Sequence, residues 1–366
     1  MKFFCNPAEL SEALSVVSRA LPAKPSIPIL EGIKILAEGA TVSLTATDSE
    51  VFIEKKIQAE VKLEGETVVT GKFFNEFVKK LQNVEKIELE KVQEKLFLRY
   101  LESETEIQCL NEDTFPITGR VDDENSFFIK ECDLKEILEK VLFCIAHDDT
   151  RPVLKGCLLE SEENNLSAVA LDGYKLAVAK AKITEKKNDI KIIVPGKILS
   201  EIGRILSDNE TDIKINIQKN NILFNLGHTI IIARLIEGEF IQYAKIIPTS
   251  SETCITVKKE TLQECLDRAS IIVRNKQNNY LKFLINNNQV VINTNSEIGS
   301  IREIAPCSLD GKGLEIAFNA KFLLEALSKI KNEFIKIEFP SPNSPALITP
   351  VDGDKFKFIV LPVRII

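Results

Sequence analysis

The sequence predicts an α+β protein of three repeated domains, each with two helices packed on antiparallel sheets. Two patterns recur at intervals of about 125 residues along the 366-residue chain. One is a strand end followed by an amphipathic helix with a lysine at its start: Lys72, Lys197 and Lys321. The other is an earlier amphipathic helix with a leading leucine: Leu10, Leu134 and Leu262. Because the order and spacing are constant, each copy is predicted to be a domain with its own core.

A short polar turn recurs with the same period and supports the predicted domain boundaries. The turn sequences are Thr47–Glu50, Leu171–Tyr174 and Thr294–Glu297. Polar stretches at Gly119–Asn125 and Pro248–Glu252 are the predicted linkers. The domains are therefore expected at 1–124, 127–250 and 253–366.

The first domain is predicted to open with a helix from Asn6 or Pro7 to Ala20, since proline is tolerated in the first turn of a helix. Between the two helices, and again after the second, apolar and polar residues alternate as they do in strands. The later domains follow the same plan. Capping boxes are expected where a polar residue precedes a glutamate by three positions, at Asp133 and Thr261.

The chain ends in the apolar tail Pro362–Ile366, after a predicted strand at Phe356–Leu361. Free chain ends are usually polar and frayed. The tail is therefore expected to dock on its own domain or on a partner.

Charge is distributed unevenly along the chain. The net charge of −7 taken alone argues against a nucleic-acid partner. In the predicted helical segments, however, basic residues outnumber acidic ones: 6–24, 72–83, 130–146, 197–209, 258–276 and 321–331. A basic set of helices in an acidic chain indicates one surface for a polyanion, with ordinary solvated helix faces as the alternative.

No known catalytic or metal-binding pattern is present in the sequence. Gly71-Lys72 and Gly196-Lys197 lack the upstream glycine and the following hydroxyl residue of a phosphate-binding P-loop. The polar run from His147 to Arg151 has no second ligand cluster, so a polar loop is favoured over a metal site. The eight cysteines are scattered without a CxxC pair, which is typical of buried, reduced thiols in a cytosolic protein. No cofactor, signal peptide or membrane span is expected.

Six short motifs together resemble the bacterial DNA polymerase III β subunit family, the sliding clamps. They run from one end of the chain to the other: Ile27–Leu30, Leu44–Asp48, Asp172–Val178, Ile193–Lys197, Glu237–Phe240 and Leu361–Arg364. The resemblance implies a head-to-tail homodimeric ring around duplex DNA, with helices lining the hole. It implies a non-catalytic, cytoplasmic processivity factor that an ATP-driven loader places on DNA and that tethers the replicative polymerase.

The resemblance also implies functional residues. Lys24, Lys72 and Lys197 match basic DNA-contacting positions. The loop Asp148–Val153 matches a DNA-touching loop that retains Arg151, although other residues there differ from the family. Apolar positions of the subunit interface are matched by Ile107, Ile271 and Ile272.

A family pocket for short partner peptides with Leu and Phe anchors is implied between the second and third domains. Its residues are Leu154, Asp172, Gly173, Tyr174, Lys175, Leu176, Ile241, Ile246, Asn319, Phe322, Pro345, Ile359, Leu361, Pro362, Val363 and Arg364. The family often has proline where Ile241 stands, and His or Tyr followed by Arg where Tyr174-Lys175 stand. These replacements are expected to shift the peptide preference.

Two other functions remain as alternatives. A nuclease with a dispersed carboxylate site would show metal-dependent turnover that is lost when one carboxylate is changed. An interaction scaffold that does not encircle DNA would be retained equally on linear and circular duplexes, whereas a clamp slides off linear ends.

Overall fold

The computed structural model describes residues 1–81, 83–116, 125–148, 150–273, 280–297 and 299–364. These residues form two compact units. Unit 1 comprises Met1–Ile129, Thr184–Asn188 and Thr211–Leu235. Unit 2 comprises Lys130–Ile183, Asp189–Glu210 and Ile236–Ile366. The second repeat therefore contributes segments to both units.

In unit 1, two helices pack together and against one antiparallel sheet. Helix α1 spans Pro7–Val17, and the side chain of Asn6 caps it by accepting the N–H of Ala8 at 2.8 Å. Helix α2 spans Gly71–Val78. Short 3-10 turns add to these helices and loops: Ser18–Ala20, Pro28–Glu31, Lys79–Leu81 and Glu112–Thr114.

The sheet of unit 1 contains fourteen strands among the described residues. In chain order these are Lys2–Cys5, Gly32–Glu38, Thr41–Thr47, Val51–Gln58, Glu60–Leu63, Gly65–Thr70, Ile87–Val92, Lys95–Tyr100, Ser103–Leu110, Ser126–Lys130, Glu185–Lys186, Asp212–Gln218, Asn221–Asn225 and Thr229–Arg234. The last strand of the second repeat, Thr229–Arg234, pairs antiparallel with Val51–Gln58 of the first. The two repeats are thus joined by backbone hydrogen bonds within one sheet.

Unit 2 contains the other four helices of the described chain. They are α3 at Glu131–Val141, α4 at Gly196–Ile205, α5 at Lys259–Val273 and α6 at Ala320–Ser328. Short 3-10 turns lie at Leu142–Cys144, Pro152–Lys155 and Tyr243–Lys245. Helix α3 packs on α4, and α5 packs on α6, so each repeat places its two helices side by side.

The sheet of unit 2 contains twelve strands among the described residues. They are Gly156–Glu162, Asn165–Leu171, Lys175–Lys182, Lys191–Pro195, Thr253–Lys258, Tyr280–Asn286, Gln289–Ser296, Gly299–Gly311, Leu314–Asn319, Phe334–Phe339, Ala346–Pro350 and Phe356–Val360. Here Phe356–Val360, the last strand of the third repeat, pairs antiparallel with Lys175–Lys182 of the second. The second and third repeats are therefore joined by the same kind of strand pairing as the first and second.

The helix periodicity predicted from the sequence is confirmed by burial. In α4, Ile198, Leu199 and Ile202 are buried, whereas Lys197 and Arg204 are exposed. Apolar residues at a spacing of three and four cover one face of a helix, so this face packs on the core.

The two predicted capping boxes are wrong. Helix α3 begins at Glu131, and its N-cap Lys130 makes no side-chain capping bond, so Asp133 lies inside the first turn. Helix α5 begins at Lys259, which places Thr261 inside the helix as well. Both helices follow a strand without an intervening loop, because Ser126–Lys130 and Thr253–Lys258 end one residue before them.

Two further expectations about elements are only partly met. Helix α2 ends at Val78 and continues as a 3-10 turn to Leu81, so it is shorter than the predicted 72–83. For the predicted helix at 258–276, the structure shows α5 as far as Val273, and residues 274–276 lie outside the described part of the chain. Most of the predicted linker, residues 119–124, lies outside the described residues.

All eight cysteines carry free thiols, as predicted, but only half of them are buried. The buried ones are Cys5, Cys144, Cys157 and Cys265, whereas the other four are partly exposed. Burial raises the pKa of Cys5 and of Cys157 to about 12, so these thiols stay protonated and unreactive at neutral pH.

Candidate peptide-binding site

An apolar pocket wall lies in unit 2, where the second and third repeats join. Its buried part combines residues of both repeats, most of them in strands: Ala146, Leu154, Leu158, Val169, Leu171, Leu176, Val178, Ile193, Leu347 and Ile359. Partly buried side chains pack against it: Val153, Ile236, Phe240, Ile241, Tyr243, Ile246 and Ile247. A partly exposed apolar surface of this kind suits the docking of a few apolar anchor side chains.

A tight turn at one edge of this wall is held by Asp172. The carboxylate of Asp172 accepts the backbone N–H groups of Tyr174 at 2.9 Å and of Lys175 at 2.8 Å. Gly173 has a φ of +91°, a conformation that favours glycine. The turn therefore fixes the direction of the Tyr174 side chain, which is 61% exposed.

The ring of Tyr174 stacks on Phe322 of α6, with centroids 5.6 Å apart and an interplanar angle of 28°. Asn319 caps α6 by accepting the N–H of Lys321 at 3.0 Å, so the helix start that carries Phe322 is fixed. The stacked pair thus brings a turn of the second repeat against a helix of the third.

Lys175 is buried beneath this aromatic pair. Its ammonium donates to the carboxylate of Glu325 and to the carbonyl of Phe143 at 3.2 Å, and it lies 3.4 Å from Asp172 Oδ2. Burial acts to lower the pKa of Lys175, but the hydrogen bond to Glu325 and the two carboxylate charges outweigh it. The net pKa is raised, so Lys175 remains charged.

The described part of the apolar tail, residues 362–364, docks on unit 2, its own unit, and residues 365–366 lie outside the described part of the chain. Leu361 donates its N–H to the carbonyl of Tyr174 at 3.0 Å, and Val363 donates to the carbonyl of Ala317 at 2.8 Å. Leu361 remains 38% exposed and Pro362 is partly exposed. Docking on its own domain is one of the two outcomes expected from the sequence, the other being docking on a partner. In this position the tail extends the pocket surface.

The loop that supplies Ile241 and Ile246 is fixed by Tyr243. The hydroxyl of Tyr243 donates to the carboxylate of Glu160. Burial, followed by the hydrogen bond to Glu160, raises the pKa of Tyr243, so the phenol keeps its proton. This bond ties the loop to the strand Gly156–Glu162.

The structure brings most of the predicted pocket residues into this one region, although the contact of any peptide stays a prediction. Pro345 is partly buried and Arg364 is exposed. Sequence reasoning missed Glu325, Phe143, Tyr243 and Glu160, which support the pocket from beneath or from the side. These residues lie far along the chain from the residues that they contact, so no local sequence pattern indicates them.

The first repeat is more polar at two positions that are equivalent to residues of this wall. The repeat period places Thr45 and Thr47 at the positions of Val169 and Leu171, and these two threonines are buried in the sheet of unit 1. The hydroxyl of Thr47 donates to the carbonyl of Val51 at 2.6 Å. Polar residues at these positions do not provide the apolar wall found in unit 2.

The predicted DNA-contacting cations are all exposed. Lys24 lies in the loop after α1, and Arg151 lies in the loop before the 3-10 turn Pro152–Lys155. Lys72 and Lys197 are the second residues of α2 and α4. None of the four forms an ion pair with another residue of the described ranges.

The loop before Pro152 contains an ordered acidic side chain. Asp148 accepts the hydroxyl of Thr150 at 2.7 Å and its backbone N–H at 3.3 Å. The hydroxyl bond, followed by the N–H bond, lowers the pKa of Asp148, so the loop carries a negative charge beside Arg151. Residue 149 lies outside the described part of the chain.

The predicted interface residues differ in exposure. Ile107 is buried within unit 1, where it belongs to the core of a single chain. Ile271 on α5 is 63% exposed, and Ile272 is partly exposed. A role of these residues between subunits stays a prediction.

A chain of three such repeats defines the class of sliding clamps. The DNA polymerase sliding clamp of Bacillus subtilis superimposes with a TM-score of 0.96 and 30% identity, over 100% of both chains. The beta subunit of the Streptococcus pyogenes DNA polymerase gives a TM-score of 0.95 and 27% identity, also over 100% of both chains. A beta sliding clamp of Staphylococcus epidermidis is 32% identical over 374 residues, covering 100% of this chain and 99% of the relative.

Models of the DNA polymerase III beta subunit match nearly the whole chain. The N-terminal domain model matches residues 1–119, the central domain model 128–242 and the C-terminal domain model 244–364. The chain belongs to the DNA polymerase III beta subunit family. Membership confirms the resemblance, the three-domain α+β fold and the non-catalytic class of protein predicted from the sequence.

Within the described ranges there is no cluster of three or more potential metal-binding side chains. None of the helices described here combines the length and the apolar character that a membrane crossing requires.

Proposed function

We propose that two copies of this chain close head to tail into a ring around duplex DNA and tether the replicative polymerase through the apolar pocket of unit 2. The ring gives processivity by topology, because it cannot leave closed DNA even when its contacts are weak. The contacts are to phosphate and carry no base readout, so the clamp slides.

The observation that supports the ring is that successive repeats are joined twice in the same way, by pairing of strands within one sheet. Thr229–Arg234 pairs with Val51–Gln58, and Phe356–Val360 pairs with Lys175–Lys182. Two strand segments have a partner on one side only among the described strands. Residues 103–108 pair with Lys95–Tyr100 alone, and residues 299–306 pair with Gln289–Ser296 alone. Pairing of these two edges between chains would close a dimer, since exposed edges readily add a strand.

Exposed apolar side chains accompany both edges and support the proposal. In unit 1, Phe73 is 48% exposed and stacks on Phe77 with centroids 5.9 Å apart. In unit 2, Ile271 is 63% exposed and Ile304 is 44% exposed. Burying such side chains between subunits contributes the apolar area that a stable dimer needs. We propose Ile271 and Ile272 as interface residues, together with Ile107 of the edge strand Ser103–Leu110.

The DNA-facing surface is proposed to include Lys24, Lys72, Lys197 and Arg151. A cation at the start of a helix is disfavoured by the helix dipole. Lys72 and Lys197 occupy such positions in two repeats, and a phosphate ligand would compensate for the unfavourable placement. Their exposure leaves them available to a passing polyanion.

The pocket is proposed to bind partner peptides with Leu and Phe anchors, from the polymerase, the clamp loader and other replication proteins. The clamp would act in the cytoplasm, where bacterial DNA replication takes place. The boundaries 1–124, 127–250 and 253–366 remain our proposal for its domains.

Retention on DNA tests the proposal. The protein is loaded with a clamp loader and ATP onto nicked circular DNA, and half of the sample is then linearised. A clamp stays on the circle and is lost from the linear form, while its mass in solution is that of two chains. Equal retention on both forms would overturn encirclement and favour an interaction scaffold.

A further inference from the structure

We propose that Glu325 determines the peptide specificity of the pocket, because it keeps the ammonium of Lys175 from contacting a bound peptide. The inference rests on the proposed peptide-binding function. It adds that the pocket disfavours an acidic side chain at its Tyr174 end.

The Lys175 ammonium is held within the protein by two hydrogen bonds and one ion pair. An ammonium group has three N–H donors. Its neighbours here are the carboxylate of Glu325, the carbonyl of Phe143 at 3.2 Å and Asp172 Oδ2 at 3.4 Å. The Lys175 side chain is only 6% exposed. A peptide carboxylate that reached this position would have to compete with Glu325, Asp172 and the Phe143 carbonyl for the N–H groups of Lys175.

Aromatic rings separate Lys175 from the surface. Its Nζ lies 5.1 Å from the ring centroid of Phe322 and 5.5 Å from that of Phe143. Tyr174 stacks on Phe322 and is exposed, so the peptide meets an aromatic surface above the charge. The cation–π contacts further stabilise the ammonium where it is.

The charge balance beneath this surface is negative. One lysine faces two carboxylates, Asp172 and Glu325, and Lys321 on the outside is 74% exposed and 3.8 Å from Glu325. Water screens the charge of Lys321 strongly, whereas the partly buried carboxylates are screened less. An acidic peptide side chain next to Tyr174 would therefore be repelled.

The chain supplies its own control for Glu325. The repeat period places Glu201 of α4 at the position equivalent to Glu325, and Val51 at that of Lys175. Glu201 bonds instead to Arg204 of the same helix at 2.6 Å. Changing Glu201 removes the same chemical group from an equivalent helix without affecting the pocket.

Two labelled peptides of equal length and with the same Leu and Phe anchors test the inference by fluorescence anisotropy. One is neutral and the other carries a single aspartate beside the anchors. The wild-type protein is expected to bind the neutral peptide more tightly, and its affinity for the acidic peptide should rise with salt as the repulsion is screened. The salt series needs no variant.

The substitution Glu325→Gln keeps the side-chain shape and removes one of the two negative charges beside Lys175. We expect the affinity ratio of acidic to neutral peptide to rise about fivefold, in line with one charge removed at a partly buried site. Glu201→Gln should leave the ratio unchanged. The double variant Lys175→Gln/Glu325→Gln should lose the rise, because the cation is gone.

The outcomes separate the two proposals. If Glu325→Gln weakens both peptides equally, Glu325 only shapes the pocket and the inference is wrong. A wild-type preference for the acidic peptide that weakens with salt would also overturn it. If neither peptide binds the wild-type protein, the proposed function of the pocket itself fails.

Discussion

Tyr174 and Phe322 stack with their ring centroids 5.6 Å apart, although one belongs to a turn of the second repeat and the other to a helix of the third. Tyr174 is 61% exposed, so the stack contributes little to the core and remains available to a ligand. An exposed aromatic pair beside an apolar wall is typical of a surface that binds a partner side chain.

The substitution Tyr174→Ala is therefore expected to weaken peptide binding by about 1–2 kcal/mol, roughly five- to thirtyfold, because a flat apolar contact surface is removed. The melting temperature should change little, since the side chain is largely exposed. Anisotropy titration and thermal melting measure the two effects. Phe334→Ala, at another exposed aromatic position, is the control and should leave peptide affinity unchanged; an equal loss in both variants would contradict the placement.

Deleting the chain after Val360 tests the docked tail. Loss of Leu361 and Val363 removes two backbone hydrogen bonds, to Tyr174 and to Ala317, together with the apolar edge of the pocket. We expect peptide binding to be abolished while the protein remains a dimer by analytical ultracentrifugation. A truncated protein that sediments as a monomer would place the tail at the subunit interface instead.

The repeat and its helices could be predicted from the sequence because they depend on local periodicity. Lys72 and Lys197 mark helix starts in the structure as they do in the sequence. The helix starts at Asp133 and Thr261 were wrong because each helix continues directly from a strand, which leaves no loop for a capping residue. A capping pattern in the sequence therefore does not by itself locate the first residue of a helix, which the backbone structure has to show.

The supports of the pocket could not be predicted in this way. Lys175 and Glu325 are 150 residues apart, and Tyr243 and Glu160 are 83 apart. Such pairs follow from strand register and helix packing, which set which residues meet across the sheet. The family resemblance supplied the apolar residues of the pocket but not the charges beneath them.

Reversing three basic side chains tests the proposed DNA surface. The triple variant Lys24→Glu, Lys72→Glu and Lys197→Glu should lower the amount of protein loaded onto nicked circular DNA and flatten the dependence of loading on salt, because fewer counterions are released on binding. The loaded amount is measured across a salt series. The control variant changes three other surface lysines, Lys62, Lys95 and Lys312, each of which is paired with a glutamate.

The control in this experiment alters net charge by the same amount but leaves the proposed contacts intact. If both triple variants lose DNA loading equally, net charge alone determines loading, and Lys24, Lys72 and Lys197 do not contact DNA specifically. A loss only in the first variant supports the placement.

The proposed subunit interface is tested by placing a charge at its exposed apolar positions. Phe73→Asp or Ile271→Asp should shift the protein from dimer to monomer, because an unpaired carboxylate would be buried on association. Sedimentation equilibrium measures the dimer dissociation constant, which should rise by at least about a hundredfold, equivalent to about 3 kcal/mol. Phe334→Asp is the matched control, and a dimer that survives both interface substitutions would exclude this surface.

Two glycines of α4 give opposite predictions for stability. At Gly196 an added Cβ would overlap the side chain of Ile145 and lie 3.0 Å from the carbonyl oxygen of Lys155, so Gly196→Ala should lower the free energy of unfolding by about 1–3 kcal/mol. At Gly203 a Cβ meets no described atom within 4 Å, and Gly203→Ala should raise that free energy by about 0.5–1 kcal/mol, since alanine is the better helix former. Urea unfolding of both variants measures the difference. Because Gly196 precedes Lys197, a stable Gly196→Ala protein would show that the turn that presents this lysine is more adaptable than its close packing indicates.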